Sequence, residues 1–296
     1  MKKNKILITG ANGLLGRYLV ELLSQKHIVF ALVKSKKKLK FKLNKNIFVI
    51  EMDLRNINIK KFPEGIDVIY YLAHSSQYKK FPQGVEDMIH INIHAPCVLA
   101  KWAKKNKVKK FIYASSGGVY GSSQKPFKEL ANININEKLN FYLNSKLSAE
   151  TLLKNFSNIS MCLIIIRPFF MYGFGQKKSM LISRLISSIK NDKEIYINGK
   201  YGIRINPIYI TDAANAVAKI LNIQNISTIN IAGDQILSLK RLISIIGKEL
   251  NKQPKIRNNR TSKYGLIADN SLMRTKLIKP KVDIKTGINM MIKSIY

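Results

Sequence analysis

Tyr142 and Lys146, in Tyr142-Leu143-Asn144-Ser145-Lys146, stand at positions i and i+4, which share one face of a helix. A phenol near pKa 10 is a poor base at neutral pH, but an ammonium within about 4–6 Å favours its anion by roughly 1–3 units. Such a pair can move a proton at a substrate oxygen. Ser116 lies 26 residues before Tyr142, in Phe111-Ile112-Tyr113-Ala114-Ser115-Ser116-Gly117-Gly118-Val119-Tyr120-Gly121, which reads as a strand ending in small polar residues. A serine there can hydrogen-bond the oxygen whose proton moves. The spacing back from Val119-Tyr120-Gly121 favours Ser116, with Ser115 as the alternative. His90 and His94 are one helical turn apart, but no third ligand accompanies them, so no metal is expected. His74 follows Leu72-Ala73 at a strand end, where contact with substrate and a plain loop role are equally open.

A second run, Ile6-Leu7-Ile8-Thr9-Gly10-Ala11-Asn12-Gly13-Leu14-Leu15-Gly16-Arg17, reads as a strand, a glycine-rich turn and a helix start. Glycine at these positions lets the backbone turn tightly, approach a pyrophosphate and pack helix on strand. The helix start then offers N–H groups and the positive end of its dipole to phosphates. Because the run opens a βαβ chain, Gly10, Asn12, Gly13, Leu14, Leu15 and Gly16 are the expected seat of a dinucleotide. Where an NAD enzyme carries an acid for the ribose hydroxyls, this chain has Val33-Lys34-Ser35-Lys36-Lys37-Lys38. A hydrogen bond to a charged group is worth about 1.5–3 kcal/mol, roughly 10- to 150-fold in affinity. NADP(H) is therefore favoured over NAD(H), with Lys34 among the contacts; loop charge in a lysine-rich chain is the bland alternative. Asp53, in Glu51-Met52-Asp53-Leu54, can accept from an adenine amino group.

Together, Gly10, Gly13, Gly16, Asp53, Leu72-Ala73, Asn92, Ser116, Tyr142 with Lys146, and Arg167-Pro168 with Tyr172-Gly173 resemble the extended short-chain dehydrogenase/reductases. Within that family they resemble the nucleotide-sugar epimerase/dehydratase group, from residue 6 to about 215. The resemblance implies cofactor contacts from the turn residues, Lys34, Asp53, Leu54, Leu72, Ala73, His74, Asn92, Tyr142, Lys146 and Pro168. It implies substrate contacts from His74, Ser116, Gly117, Phe170 and Arg204. In the mechanism it implies, Tyr142 passes a proton to or from a sugar hydroxyl or keto oxygen held by Ser116, Lys146 holds the nicotinamide ribose, and the nicotinamide carries hydride. Two departures matter. The 4,6-dehydratases of the group carry Asp and Glu after the serine or threonine, where this chain has Gly117 and Gly118, so dehydration is not expected. The group's Arg-Pro-x-Asn-Val-Tyr-Gly becomes Arg167-Pro168-Phe169-Phe170-Met171-Tyr172-Gly173, which puts the usual substrate pose in question. Arg204 resembles the arginine that reaches the substrate diphosphate, a structural arginine being the alternative. The reading is an NADPH-using 4-ketoreductase on a nucleotide-linked sugar. A 4-epimerase that retains NAD is the alternative, and a non-catalytic NADP(H)-sensing or nucleic-acid-binding protein is the rival from another class.

The elements that must position these residues follow from periodicity. Apolar runs near 5–9, 28–33, 47–51, 67–72, 111–115 and 161–166 read as strands, with amphipathic helices from about 13, near 85–106 and near 139–155. This alternation predicts an α/β, Rossmann-type doubly wound parallel sheet with a small interleaved substrate lobe. The expected division is residues 1–172 and 207–230 for the dinucleotide domain and 173–206 and 231–296 for the lobe, the latter ending in an irregular basic tail. At 296 residues, 46% hydrophobic and 23% charged, the chain is globular rather than disordered or collagen-like. The net charge of +34 comes mostly from scattered lysines in an Asn- and Ile-rich composition. Solvated faces and attraction for an anionic substrate are therefore expected, without sequence-specific nucleic-acid binding. No apolar run reaches the roughly 18 residues of a membrane span. The start Met-Lys-Lys-Asn-Lys leads straight into a strand, so a cytoplasmic protein is expected, and a homodimer is usual for the family. Cys97 and Cys162 read as small core residues rather than a disulfide.

Overall fold

Short branched apolar runs, each followed by a helix with one apolar face, bury both faces of a sheet only when the strands run parallel with helices on either side. The chain folds in that way in a computed structural model that describes residues 3–133, 139–157, 161–224, 226–259 and 265–295. Strands β1 (Lys5–Thr9), β2 (Ile28–Val33), β3 (Ile47–Glu51), β4 (Val68–Tyr71), β5 (Lys110–Ala114) and β6 (Cys162–Pro168) are followed by four short ones. These are β7 (Met171–Tyr172), β8 (Ile195–Asn198), β9 (Arg204–Ile205) and β10 (Ile208–Tyr209), after which β11 (Thr228–Ile231) completes a seven-stranded parallel sheet. Its order is β11-β6-β5-β4-β1-β2-β3. The direction of winding reverses between β1 and β4, and in such sheets ligands bind outside the carboxyl ends of the strands at that point.

The chain forms two compact units, the first from residues 1–119, 135–167 and 217–229 and the second from residues 120–134, 168–216 and 230–296. In the first, α1 (Leu14–Ser24), α2 (Val85–Met88), α3 (Ala95–Lys105) and α4 (Phe141–Lys154) flank the sheet, with a π-helical turn at Ile89–His94 joining α2 to α3. Its core runs through Leu7, Ile69, Tyr71, Leu99, Phe111, Tyr113, Leu153 and Ile165, all nearly inaccessible to water. The Lys110 ammonium donates to the carbonyls of Ile220, Leu221 and Ile223 at 2.6–2.8 Å. A cation so placed satisfies carbonyls that a helix end leaves unpaired. The half-buried Cys97 and Cys162 are unpaired thiols.

In the second unit, α5 (Leu181–Lys190), α6 (Ile210–Lys219, whose last turn passes into the first unit), α7 (Leu239–Glu249), α8 (Ser271–Lys276) and α9 (Ile284–Ile295) pack with small ladders. These pair β10 with β7, β9 with β12 (Leu237–Ser238) and β8 with β13 (Ile256–Asn259). The expected irregular tail is thus corrected: it holds β13, α8 and α9. The short pieces carry little periodicity. α9 buries Ile284, Ile288 and Met291, a helical spacing interrupted by polar residues and preceded by Lys279-Pro280-Lys281. Two buried asparagines fasten the unit. Asn206 donates to the carbonyls of Gly233 and Ala268 and accepts from the Ala268 N–H at 2.9–3.1 Å. Asn230 donates to Phe127 and Asp269 carbonyls and accepts from the Tyr120 hydroxyl.

Removing one partner from a buried hydrogen bond costs about 1–3 kcal/mol for the group left behind. Asn206→Leu is expected to lower the free energy of unfolding by at least about 2 kcal/mol at unchanged urea m value. Equilibrium urea denaturation checks this.

Candidate functional site

The glycine turn has the geometry that the sequence spacing requires. Gly10 has φ +66°, and a Cβ there would lie 2.8 Å from the Ala73 nitrogen and 2.9 Å from the Leu72 carbonyl carbon. A Cβ on Gly16 would lie 2.2 Å from the Gly10 oxygen. The backbones following β1 and β4 therefore meet where no side chain fits. Gly13 caps α1 with no side-chain hydrogen bond to the helix start. A Cβ on Gly13 would lie 3.0 Å from the Gly10 oxygen, and a helix start without a side-chain cap keeps N–H groups available to an anion such as a pyrophosphate. Leu15, Leu54, Leu72 and Ala73 are buried, so their side chains serve the core and their backbone groups are what a cofactor can meet. Asn12 is committed inside the protein: its amide donates to the Lys38 carbonyl at 3.1 Å and accepts from Lys40 N–H at 2.9 Å. It ties the basic loop to the glycine turn.

That loop begins at Lys34, whose exposed ammonium is 3.3 Å from Asp53. Ser35 caps the turn Lys36–Lys38, and Glu51 accepts from the Lys36 N–H. Asp53 also accepts from the backbone N–H and guanidinium of Arg55. The Arg55 hydrogen bonds, and Lys34 beside them, hold the Asp53 carboxyl well below the usual carboxylate range. Arg55 was not singled out from the sequence. An arginine two residues past a strand-end aspartate is the signal that could have drawn attention to it.

At the ends of β5 and α4, Ser116, Tyr142 and Lys146 lie within the first unit. Ser116 Oγ accepts from the Gly118 N–H at 3.1 Å, which sets the turn Gly117–Tyr120. A Cβ at Gly118 would lie 2.7 Å from the Leu143 side chain, so a longer residue there must displace the neighbour of Tyr142. The Lys146 ammonium, 1% exposed, donates to the Ala114 carbonyl at 2.8 Å and lies 4.8 Å from the Tyr113 ring centroid. Burial pulls Lys146 down to about 7, opposed by the Glu150 charge one turn on. Glu150 is in turn held by a buried Arg167, with bonds of 3.1 and 2.6 Å. Burial, with Tyr78 beside it, pushes the Tyr142 phenol up to about 12. The Lys146 ammonium donates to Ala114, and burial is the largest influence on the phenol. Ser115 Oγ is buried with no hydrogen-bond partner among the described residues.

Asn92 sits in the π-helical turn, a distortion that concentrates at functional sites. Its amide accepts from the Ser75 N–H at 3.0 Å and donates to Ser145 Oγ at 2.9 Å. Its side chain is therefore spent on joining the loop after β4 to α4. His74 bonds the Ser75 carbonyl through Nδ1 and lies edge-on to Tyr142 at 6.3 Å. Tyr78, which the sequence reading missed, packs against Tyr142 at 5.4 Å. Among the described residues no three His, Cys, Asp or Glu side chains are grouped to hold a metal, and no helix is long and apolar enough to cross a membrane.

Pro168, Phe170 and Arg204 belong to the second unit. Phe170 has φ +42° and packs against Tyr120, Phe169, Ala232 and Ala268. The left-handed region suits asparagine and penalises a bulky residue, which gives a backbone reason for the Asn found there in the resembling group. Arg204 is exposed on β9 and ladders with Ser238.

A profile described as the NAD dependent epimerase/dehydratase family matches residues 6–232. The chain is 29% identical over 316 aligned positions to dTDP-4-dehydro-6-deoxyglucose reductase of Escherichia coli, covering 99% of this chain and 98% of that protein. It is 28% identical over 258 positions to the uncharacterized UDP-glucose epimerase YtcB of Bacillus subtilis, covering 82% and 81%. Among solved structures it is similar to UDP-glucuronic acid 4-epimerase from Bacillus cereus in complex with UDP-glucuronic acid and NAD, with 26% identity, TM-score 0.86 and 98% of each chain covered.

Two outcomes follow from this geometry. Gly16→Ala is expected to abolish dinucleotide binding in a fluorescence titration and to cost roughly 1–3 kcal/mol of stability from overpacking. For Lys146, the unfolded chain keeps the lysine proton up to the ordinary 10.5, whereas the folded chain releases it near 7. Between these values the unfolded state binds more protons, so native stability rises with pH. Lys146→Met is expected to be more stable than the native protein at pH 6, with the difference shrinking towards pH 10, as read from thermal unfolding across that range.

Proposed function

The chain belongs to the NAD dependent epimerase/dehydratase family, and from that premise we propose that it is a ketoreductase acting on a nucleotide-linked sugar with a nicotinamide dinucleotide. The observation that carries this reading is Tyr142 on the first turn of α4, half-buried with the Tyr78 ring packed on it at 5.4 Å and its phenol shifted up rather than down. At neutral pH it holds its proton, and reduction of a ketone needs a donor at the developing alkoxide. Ser116 orients the keto oxygen. Lys146, which donates one N–H to the Ala114 carbonyl, has further N–H groups to offer the ribose hydroxyls of the cofactor. The bound nicotinamide supplies the hydride. Gly117 and Gly118 stand where elimination of water needs carboxylates, which supports reduction over dehydration. The nearly full-length similarity to the Escherichia coli reductase supports the same direction.

The Bacillus cereus structure, with its NAD, favours a second reading, epimerisation with a retained cofactor. The basic run from Lys34 to Lys38, with no acid at the end of β2, supports NADP(H) as the dinucleotide.

Purified protein is expected to release no NAD on denaturation and to consume NADPH with dTDP-4-dehydro-6-deoxyglucose as the probe. Stoichiometric bound NAD, with interconversion of UDP-sugars, marks the epimerase. Tyr142→Phe is expected to keep the fold and bind the cofactor while lowering turnover by about 10²–10⁴. Lys34→Asp is expected to narrow the gap between NADPH and NADH by about tenfold, as read from the two dissociation constants. Equal constants in the native protein remove the lysines from cofactor selection.

A further inference from the structure

The loop after β4 is pinned on the first turn of α4. At its base, Ser75 N–H bonds the Asn92 amide, which bonds Ser145 on α4, while the Ser75 hydroxyl donates to Asp87. Further along, the Phe81 and Phe141 rings stack at 5.8 Å and 30°. Between these ties, His74, Tyr78 and Tyr142 form a closed triangle of rings. Tyr78 lies 5.4 Å from Tyr142 at 52°, His74 lies 6.3 Å from Tyr142 at 74°, and His74 lies 5.7 Å from Tyr78 at 79°. Tilted and edge-on contacts are the arrangements that aromatic quadrupoles favour. Tyr142 is the second residue of α4, where the helix has no preceding turn to hold a side chain, so the rings across from it supply its lateral support.

We propose that Tyr78 is a positioning residue for proton transfer: its half-buried ring, with the exposed His74 edge-on to it, fixes where the Tyr142 hydroxyl points and limits the water that reaches that half-buried side chain. The idea rests on Tyr142 being the proton-transfer group, as assigned above. Around Tyr142 stand Tyr78 and His74 from the loop, Tyr113 from β5 and Lys146 one turn along α4. Lys79 lies with its ammonium 5.6 Å from the Tyr78 ring centroid. Among the described residues, no carboxylate is one of these groups. The contact with Tyr142 is made by the Tyr78 ring, which phenylalanine keeps and alanine removes.

The test uses the full chain with its dinucleotide. Ultraviolet titration of tyrosinate, taken as the difference from the matching Tyr142→Phe protein, reports the ionisation of Tyr142 without any sugar substrate. Tyr78→Ala is expected to let Tyr142 ionise about one pH unit lower, a tenfold loss of proton affinity, whereas Tyr78→Phe stays within about twofold of the native protein. With dTDP-4-dehydro-6-deoxyglucose and NADPH, Tyr78→Ala is expected to lower kcat about tenfold, within the range of a positioned proton-transfer group, with KM little changed, and Tyr78→Phe to restore it. Circular dichroism confirms that each variant is folded. An unchanged Tyr142 titration in Tyr78→Ala overturns the proposal, as does a Tyr78→Phe variant as impaired as the alanine one. Absence of turnover in the native protein counts against the ketoreductase assignment, while the titration still decides the role of Tyr78.

Discussion

The contact on which the rest of the first unit depends is the close approach of two backbones, the turn after β1 and the strand end after β4. Gly10 lies against the Leu72-Ala73 backbone at a distance that no Cβ permits, and Gly16 lies as tightly against Gly10. This approach seats α1 on the sheet and leaves the start of that helix open beside the reversal in strand order. Neighbouring positions inherit their geometry from it. Asn12 reaches back to fix the basic loop, and the loop after β4 leaves from Ala73 towards α4.

Burial then sets the chemistry. Lys146 is fully buried and Tyr142 half-buried, and desolvation disfavours the charged form of each: it moves the lysine down and the phenol up. The phenol consequently keeps its proton while the lysine gives its own up more readily, so the two make a poor standing phenolate–ammonium couple. Glu150, clamped by Arg167 in a buried two-bond pair, is the charge that opposes deprotonation of Lys146. Breaking such a pair from one side leaves an uncompensated charge in the interior, so the lysine, the glutamate and the arginine are coupled even though only the lysine lies one turn from Tyr142.

In the second unit, polar side chains do the joining. Asn206 and Asn230 each serve backbone groups from segments distant in sequence. A small unit built from two-stranded ladders has many backbone groups that no long sheet satisfies, and buried groups of that kind require partners. Phe170 shows the local cost of a different choice: a bulky residue held at positive φ is retained by its packing against Tyr120 and Phe169.

The amino-acid sequence by itself determined the alternation of strands and helices, the glycine-rich turn after β1, the spacing of Ser116, Tyr142 and Lys146 and the Gly117-Gly118 pair. Each of these is a short-range pattern, in which periodicity or fixed spacing is translated directly by backbone sterics. Only the tertiary structure decided that Asn12 and Asn92 spend their amides within the protein, that the Lys146 ammonium turns to the Ala114 carbonyl, that Arg55 grips Asp53 and that Tyr78 lies on Tyr142. It alone revealed the strand and helices of the C-terminal stretch, whose apolar positions are too few and too interrupted to signal a period. Most of these outcomes hinge on partners tens of residues apart and on how much water remains between them. Neither the identity of a distant neighbour nor the loss of its solvation is written in the spacing of a single segment.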